Sequence, residues 1–215
     1  MDGLEFKRLD AMLEYEREAK ALGYRLIAGL DEAGRGPLAG PVVSAAVILP
    51  DKYYPEGLDD SKKLTPKTRD RLFAQIVDES VAWAVGTSDS REIDDMNILN
   101  ATILSMERAL NALYLKPDFL LIDALKLKNV DIGQNPIIKG DALSLSIAAA
   151  SVLAKVTRDR LMSIYDGRYP GYGFTKHKGY GTAEHYKRIN ELGLCPIHRK
   201  SFYHGGERYV QMKLN

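Results

Sequence analysis

The chain has 215 residues, 45% hydrophobic and 27% charged, with a formal net charge of +1. This suits one globular domain, or one domain with a small appendage, and excludes a disordered polyelectrolyte. The near-zero charge argues against strong non-specific nucleic-acid binding by the whole molecule. No apolar stretch reaches the roughly 18 residues of a membrane helix, and the single Cys195 excludes an intrachain disulfide. A reduced, cytoplasmic, monomeric protein that avoids membranes is expected.

The elements follow in chain order. Apolar Leu9, Met12, Leu13, Ala19 and Leu22 among many charges predict one amphipathic surface helix over residues 4–22, ended by Gly23. A strand is predicted over 25–30 and a Val- and Ala-rich second strand over 41–49. Their short connection makes them antiparallel. Thr65 as N-cap and Pro66 at the first helical position open a helix to about residue 79. A strand over 81–87, a helix over 93–115 and short strands over 119–123 and 136–139 come next. A long helix over 143–165 begins with the small residues Ala148-Ala149-Ala150-Ser151, which predict close packing on the sheet. A last helix spans 182–192 and stops at Gly193. Antiparallel strands followed by strands alternating with helices predict an α/β fold with a mixed sheet.

The chemistry concentrates at strand ends. The segment Gly29-Leu30-Asp31-Glu32-Ala33-Gly34-Arg35-Gly36-Pro37 sets two carboxylates and a glycine-flanked arginine directly after an apolar run. Adjacent carboxylates are costly to hold together unless a cation screens them, and an oxygen-only donor set selects Mg²⁺ or Mn²⁺. The small residues around Arg35 leave backbone open to a phosphate or sugar. Two further apolar runs carry acids, Asp118-Phe119-Leu120-Leu121-Ile122-Asp123 and Ile137-Ile138-Lys139-Gly140-Asp141. If these strands converge, Asp31, Glu32, Asp123 and Asp141 form a carboxylate cage of the kind that holds two metals for phosphoryl displacement. Taken singly, each acid reads as a cap or a solvated charge, and Asp141 as the cap of the helix starting near residue 143. Residues 155–208 hold eleven Lys and Arg against five acids, plus all four histidines. That stretch reads either as a backbone-binding surface or as a solvated basic face. Asp159 reads as a helix ion-pair partner. Cys195, before Pro196, reads as a plain thiol.

With Asp59-Asp60-Ser61-Lys62-Lys63-Leu64 and Tyr172-Gly173-Phe174-Thr175-Lys176-His177-Lys178-Gly179-Tyr180-Gly181-Thr182, these segments closely resemble ribonuclease HII, the type 2 ribonuclease H family, over residues 26–202. The resemblance implies a ribonuclease H-like fold, with a five-stranded mixed sheet flanked by helices. It divides the chain into an N-terminal helical extension (1–24), a catalytic core (25–165) and a C-terminal helical substrate-binding extension (166–215). It implies an endoribonuclease that cleaves the RNA strand of RNA–DNA hybrids and nicks 5′ of single ribonucleotides in duplex DNA, as in ribonucleotide excision repair. Two Mg²⁺ or Mn²⁺ ions would serve it, with Asp31 bridging, Glu32 and Asp123 toward the leaving group and Asp141 on the water side. Gly34, Arg35 and Gly36 would sense the ribose junction, Tyr180 would stack on the adjacent sugar, and Lys62 and Lys63 would face phosphates.

By themselves Tyr180 reads as a half-buried core tyrosine, and Lys62, Lys63, Lys176, His177 and Lys178 as ordinary loop residues. The competing reading is another two-metal nuclease or polynucleotidyl transferase of the same fold, such as a junction resolvase. A P-loop lacks its Gly-x-x-x-x-Gly-Lys spacing here, and a binding-only module would not need all four acids. About 25 residues precede the first strand, too few for the extra domain of the sister family, ribonuclease HIII. Residues 205–215 carry no convincing sliding-clamp peptide, which leaves that partner undecided.

Overall fold

The structure, a computed structural model, describes residues 1–203. Its centre is a five-stranded sheet of β1 (Ile27–Ala33), β2 (Val42–Ile48), β3 (Ala82–Ser88), β4 (Phe119–Asp123) and β5 (Gly133–Ile137), in the order β3-β2-β1-β4-β5. β1 pairs antiparallel with β2 and parallel with β4; β2–β3 is antiparallel and β4–β5 parallel. β1 runs further than its apolar pattern predicts, because Asp31, Glu32 and Ala33 still pair with Ala45, Ser44 and Val43. The acid pair therefore sits on rigid strand rather than in the turn. β5 begins at Gly133 instead of residue 136, and its Pro136 is tolerated because β5 is an edge strand.

The helices are α1 (Gly3–Ala11), α2 (Glu14–Ala21), α3 (Pro66–Glu79), α4 (Ser90–Ala112), α5 (Gly140–Leu143), α6 (Leu145–Arg168), α7 (Phe174–His177) and α8 (Ala183–Leu192). The single N-terminal helix expected from the apolar pattern is two. At the break, the Met12 carbonyl accepts from the amide of Leu145, and Glu16 Oε1 accepts from the Ser144 hydroxyl and from both the amide and hydroxyl of Ser146. Tertiary bonds to the start of α6 thus outweigh helix continuity. The Thr65 cap with Pro66 forms as read, a device worth about 1 kcal/mol. α4 is kinked at Asn97 (φ 69°), whose side chain accepts from the Leu99 and Asn100 amides and restarts the helix.

Strand alternation divides the core in two. Ala28 and Leu30 of β1 pack with Ala46, Ile48, Leu120 and Ile122 against Met106, Ala109 and Leu110 of α4. On the other face, Ala45 and Val47 pack against α6 and against Leu72 and Ile76 of α3. The small residues of α6, Ala148 to Ala150, are fully buried there. Helix and strand approach so closely that a Cβ at Gly29 would collide with the Ser146 and Ile147 backbone.

α6 continues to Arg168, three residues past its predicted end. Beyond it, Thr182 caps α8, and Gly193 (φ 77°) ends it as expected. Among the described residues no helix is long and apolar enough to cross a membrane. Residues 205–215, where a sliding-clamp peptide was sought, lie outside the described residues.

Candidate active site

Leu30 is in register with Ile122, so the next residues, Asp31 and Asp123, lie side by side where the parallel ladder between β1 and β4 ends. By alternation both belong to the face that carries α6. The chain then reverses through two non-glycine residues in the left-handed region, Ala124 (φ 51°) and Lys139 (φ 58°). Such backbone costs about 1–2 kcal/mol per residue and persists where surrounding structure over-determines it. Here the reversal lets the Gly140 amide donate to Asp123 Oδ1 at 2.8 Å, which brings the adjacent Asp141 to the same strand ends. Asp141 lies within α5. Ser144, accepting from the Ile147 amide, caps α6 instead, which overturns the capping reading of Asp141.

The four acids share one electrostatic environment. Asp31 is 3% exposed. Burial, then the charge of Glu32 and of Asp123, pushes its carboxyl well above the usual range against a hydrogen bond from Ser151. Burial and Asp123 raise Glu32, with Arg35 opposing from 3.5 Å. Burial raises Asp123, against the Gly140 amide and with Asp141 adding to the rise. Each shift marks a site short of positive charge. Among the described residues no three of these side chains already close into a finished metal cage. The donors nonetheless fit a hard divalent cation: all are carboxylate oxygens, and Glu32 Oε2 is buried without a hydrogen-bond partner.

The loop before α3 closes one side. Ser61 bonds Ser151 at 2.9 Å, and Arg69 donates to the Ser61 and Leu64 carbonyls. Lys62 Nζ lies 3.4 Å from Asp141 Oδ2. Burial works against this ammonium, yet Asp141, Asp60 and Asp31 together hold its pKa above the ordinary value. Lys63 pairs with Asp59 at 3.0 Å rather than with any of the four acids.

The Gly34-Arg35-Gly36 turn and Tyr180 form the other side of the same cleft, of about 430 Å³, with Glu32 and Lys62. Gly34 (φ 98°) has no room for a side chain, because a Cβ would strike the Arg158 guanidinium. Tyr180 is 46% exposed, against its core reading, and the Arg158 guanidinium lies 6.0 Å from its ring centroid. An adjoining cleft of about 530 Å³ shares Arg69 and Lys155 and adds Arg160, Lys176 and Lys178. There Asp159 is the ion-pair partner of Lys155 that its spacing implied, at 2.7 Å. Lys176 pairs with Glu184, and His177 is buried. Cys195 is a half-buried thiol whose pKa burial pushes up, as suits an inert residue.

Sequence reading missed Ser61, Ser151, Lys155, Arg158 and Arg199. A signal existed for three of them. Ser151, Lys155 and Arg158 are spaced i, i+4, i+7, a polar stripe on an otherwise buried helix. Arg158 donates to the Pro41, Ala39 and Lys178 carbonyls, and Arg199 to those of Gly34, Arg35 and Gly40.

A five-stranded mixed sheet with flanking helices and acids gathered at the ends of adjacent parallel strands defines the ribonuclease H-like class. The family model described as ribonuclease HII matches residues 28–204. A ribonuclease HII of Acetivibrio thermocellus is 57% identical over 198 residues, covering 92% of this chain and 77% of its own. The crystal structure of ribonuclease H2 from Pyrococcus horikoshii superposes with TM-score 0.68 at 28% identity, covering 88% of this chain and 98% of that one. A ribonuclease HIII solved in complex with Mn²⁺ shares the fold at TM-score 0.62 and 21% identity, covering 92% of this chain and 73% of its own. The chain belongs to the ribonuclease HII family. It is a metal-dependent endoribonuclease of RNA–DNA hybrids, as the resemblance implied.

Proposed function

We propose that this enzyme nicks 5′ of single ribonucleotides embedded in duplex DNA, in addition to cleaving hybrids, and leaves 5′-phosphate and 3′-hydroxyl ends. The supporting observation is one cleft in which Glu32, the member of the acid cluster that lines it, meets a glycine-arginine-glycine turn and an exposed tyrosine. Telling RNA from DNA requires contact with the 2′-hydroxyl. The amides of Gly34, Arg35 and Gly36 would make that contact, and Tyr180 would stack on the following deoxyribose. Lys62 would meet a phosphate beside Asp141. The basic wall of Lys155, Arg160, Lys176 and Lys178 would track the backbone beyond it. Lys63, paired with Asp59, would add only diffuse positive charge.

Asp31, Glu32, Asp123 and Asp141 would hold two divalent ions, Mg²⁺ or Mn²⁺; the Mn²⁺-bound ribonuclease HIII of the same fold supports that class of ion. When bound, such ions supply an activated water and stabilise charge on the leaving oxygen. Ser151, donating to Asp31, and the Gly140 amide, donating to Asp123, favour the ionised forms that burial opposes and would aim both carboxylates. The division into residues 1–24, 25–165 and 166–215 accords with this reading, since turn and acids lie in the core and Tyr180 in the last segment. Removal of misincorporated ribonucleotides from DNA is the role such an activity would serve.

The test uses end-labelled duplexes carrying no ribonucleotide, one, or four in a row, with Mg²⁺, Mn²⁺ or EDTA. The reading expects a metal-dependent nick 5′ of the lone ribonucleotide and an intact all-DNA control. Cutting of the all-DNA duplex, or of the run of four alone, would reject it.

A further inference from the structure

We infer that the buried dipeptide His198-Arg199 is a positioning element that holds both halves of the ribose-reading site, the Gly34-Arg35-Gly36 turn and Tyr180, against each other. The inference rests on the junction-reading role proposed above and adds the residues that set its geometry. Neither His198 nor Arg199 lines the cleft, and neither touches the acids.

Arg199 serves the turn. It is fully buried, and among the described residues it forms no ion pair. Its guanidinium is spent on backbone carbonyls instead. Nη2 donates to Gly34 O at 2.5 Å and Nη1 to Arg35 O at 2.7 Å, while Nε and Nη2 both donate to Gly40 O. Its own amide donates to Leu38 O. One planar fork therefore spans both ends of the loop from Gly34 to Gly40. A lysine, a single point charge on a flexible stem, cannot reproduce it.

His198 serves the tyrosine through a directional relay. The Cys195 amide, which can only donate, lies 2.9 Å from His198 Nδ1, nearer than the Cys195 carbonyl at 3.2 Å. The bare nitrogen of His198 is thus Nδ1, and its proton is on Nε2. That Nε2 donates to His185 Nε2 at 3.1 Å, which leaves the His185 proton on Nδ1. Nδ1 in turn donates to the Tyr180 carbonyl at 3.0 Å. His177 braces the relay. It stacks on His185 at 4.3 Å between centroids, and its carbonyl accepts the Tyr180 amide. Burial keeps His185 neutral, as this chain of donors requires. Every link has one polarity, so the backbone of Tyr180 is fixed from the same dipeptide that fixes the turn.

The test compares His198→Leu, His198→Gln and Arg199→Lys with the wild type. The readouts are kcat/KM on the one-ribonucleotide and four-ribonucleotide duplexes, and the thermal midpoint. His198→Leu and Arg199→Lys should lower the one-to-four selectivity about tenfold or more, while His198→Gln, which keeps a donor at the ε position, stays near wild type. In a Tyr180→Ala background, His198→Leu should cost less than about twofold further on the one-ribonucleotide duplex, because its effect passes through Tyr180. A purely structural role would lower both substrates equally and cost as much with Tyr180 absent; either result overturns the inference. If His198→Leu shows no cooperative melt, Arg199→Lys decides, and unchanged selectivity there overturns the inference. A wild type that ignores the single ribonucleotide defeats the functional reading itself, whereas wild-type selectivity in every variant defeats only the positioning role.

Discussion

The Lys62 ammonium stands 3.4 Å from Oδ2 of Asp141, an exposed cation at the mouth of the acid cluster. With its cation this exposed, the pair contributes about 0–1 kcal/mol to stability, so Lys62→Ala should melt within a few degrees of wild type. Its loss should be felt by substrate phosphates instead. KM on a hybrid should rise about three- to tenfold with a smaller change in kcat, and the salt slope of binding should fall by about one. Steady-state kinetics at several salt concentrations check this.

Asp31 is buried beside Glu32 and Asp123, which holds its carboxyl well above the usual range. A carboxyl raised in the folded state makes the native protein bind protons more tightly than the unfolded chain. Stability is then present at low pH and lost as pH rises through the folded pKa. Asp31→Asn should therefore raise the melting temperature of the metal-free protein at pH 8, by about 2–4 °C per kcal/mol relieved. The gain should shrink toward acid pH, where the wild-type carboxyl takes its proton. Thermal melts across pH in EDTA measure it.

Because Ser144 caps α6, Asp141 is free of that duty. Asp141→Asn should leave stability within about 0.5 kcal/mol of wild type while activity falls and the half-saturating metal concentration rises. Metal titrations of rate beside denaturant curves separate the two effects.

The acid-bearing segments were legible because each couples an apolar run to a carboxylate. Period-two burial, a capping Thr65-Pro66 and a terminal Gly193 are local signals, and those elements formed within a few residues of their predicted bounds. What escaped was long-range. The break between α1 and α2 depends on Glu16 reaching Ser144 and Ser146. The burial of Arg199 depends on carbonyls of a loop far away in sequence, such as that of Gly34. Asp141 kept two readings until the fold showed which residue caps α6. Tyr180, read by itself, looked like a half-buried core residue because composition does not say which aromatic ring the loop between two helices leaves outside.

His185 is fully buried, and its pKa is pulled down to about 4 by burial and by His177. A folded pKa below the unfolded value of about 6.5 contributes stability above pH 6.5, which is lost as pH falls toward 4. The His185 ring should still be neutral at pH 6 by NMR, with the proton on Nδ1. His185→Phe should flatten the fall of the thermal midpoint between pH 6.5 and 4.

The most direct measurement is a count of Mn²⁺ bound to the protein with a duplex whose scissile phosphate is replaced by an uncleavable analogue, read by electron paramagnetic resonance. A carboxylate centre built on Asp31, Glu32, Asp123 and Asp141 predicts about two ions per wild-type chain. In Asp31→Asn the count should fall, with affinity at least about tenfold weaker and cleavage of the native substrate abolished. Equal Mn²⁺ binding by the wild type and by Asp31→Asn, with near-normal turnover in the variant, would contradict the assignment of this cluster as the metal centre.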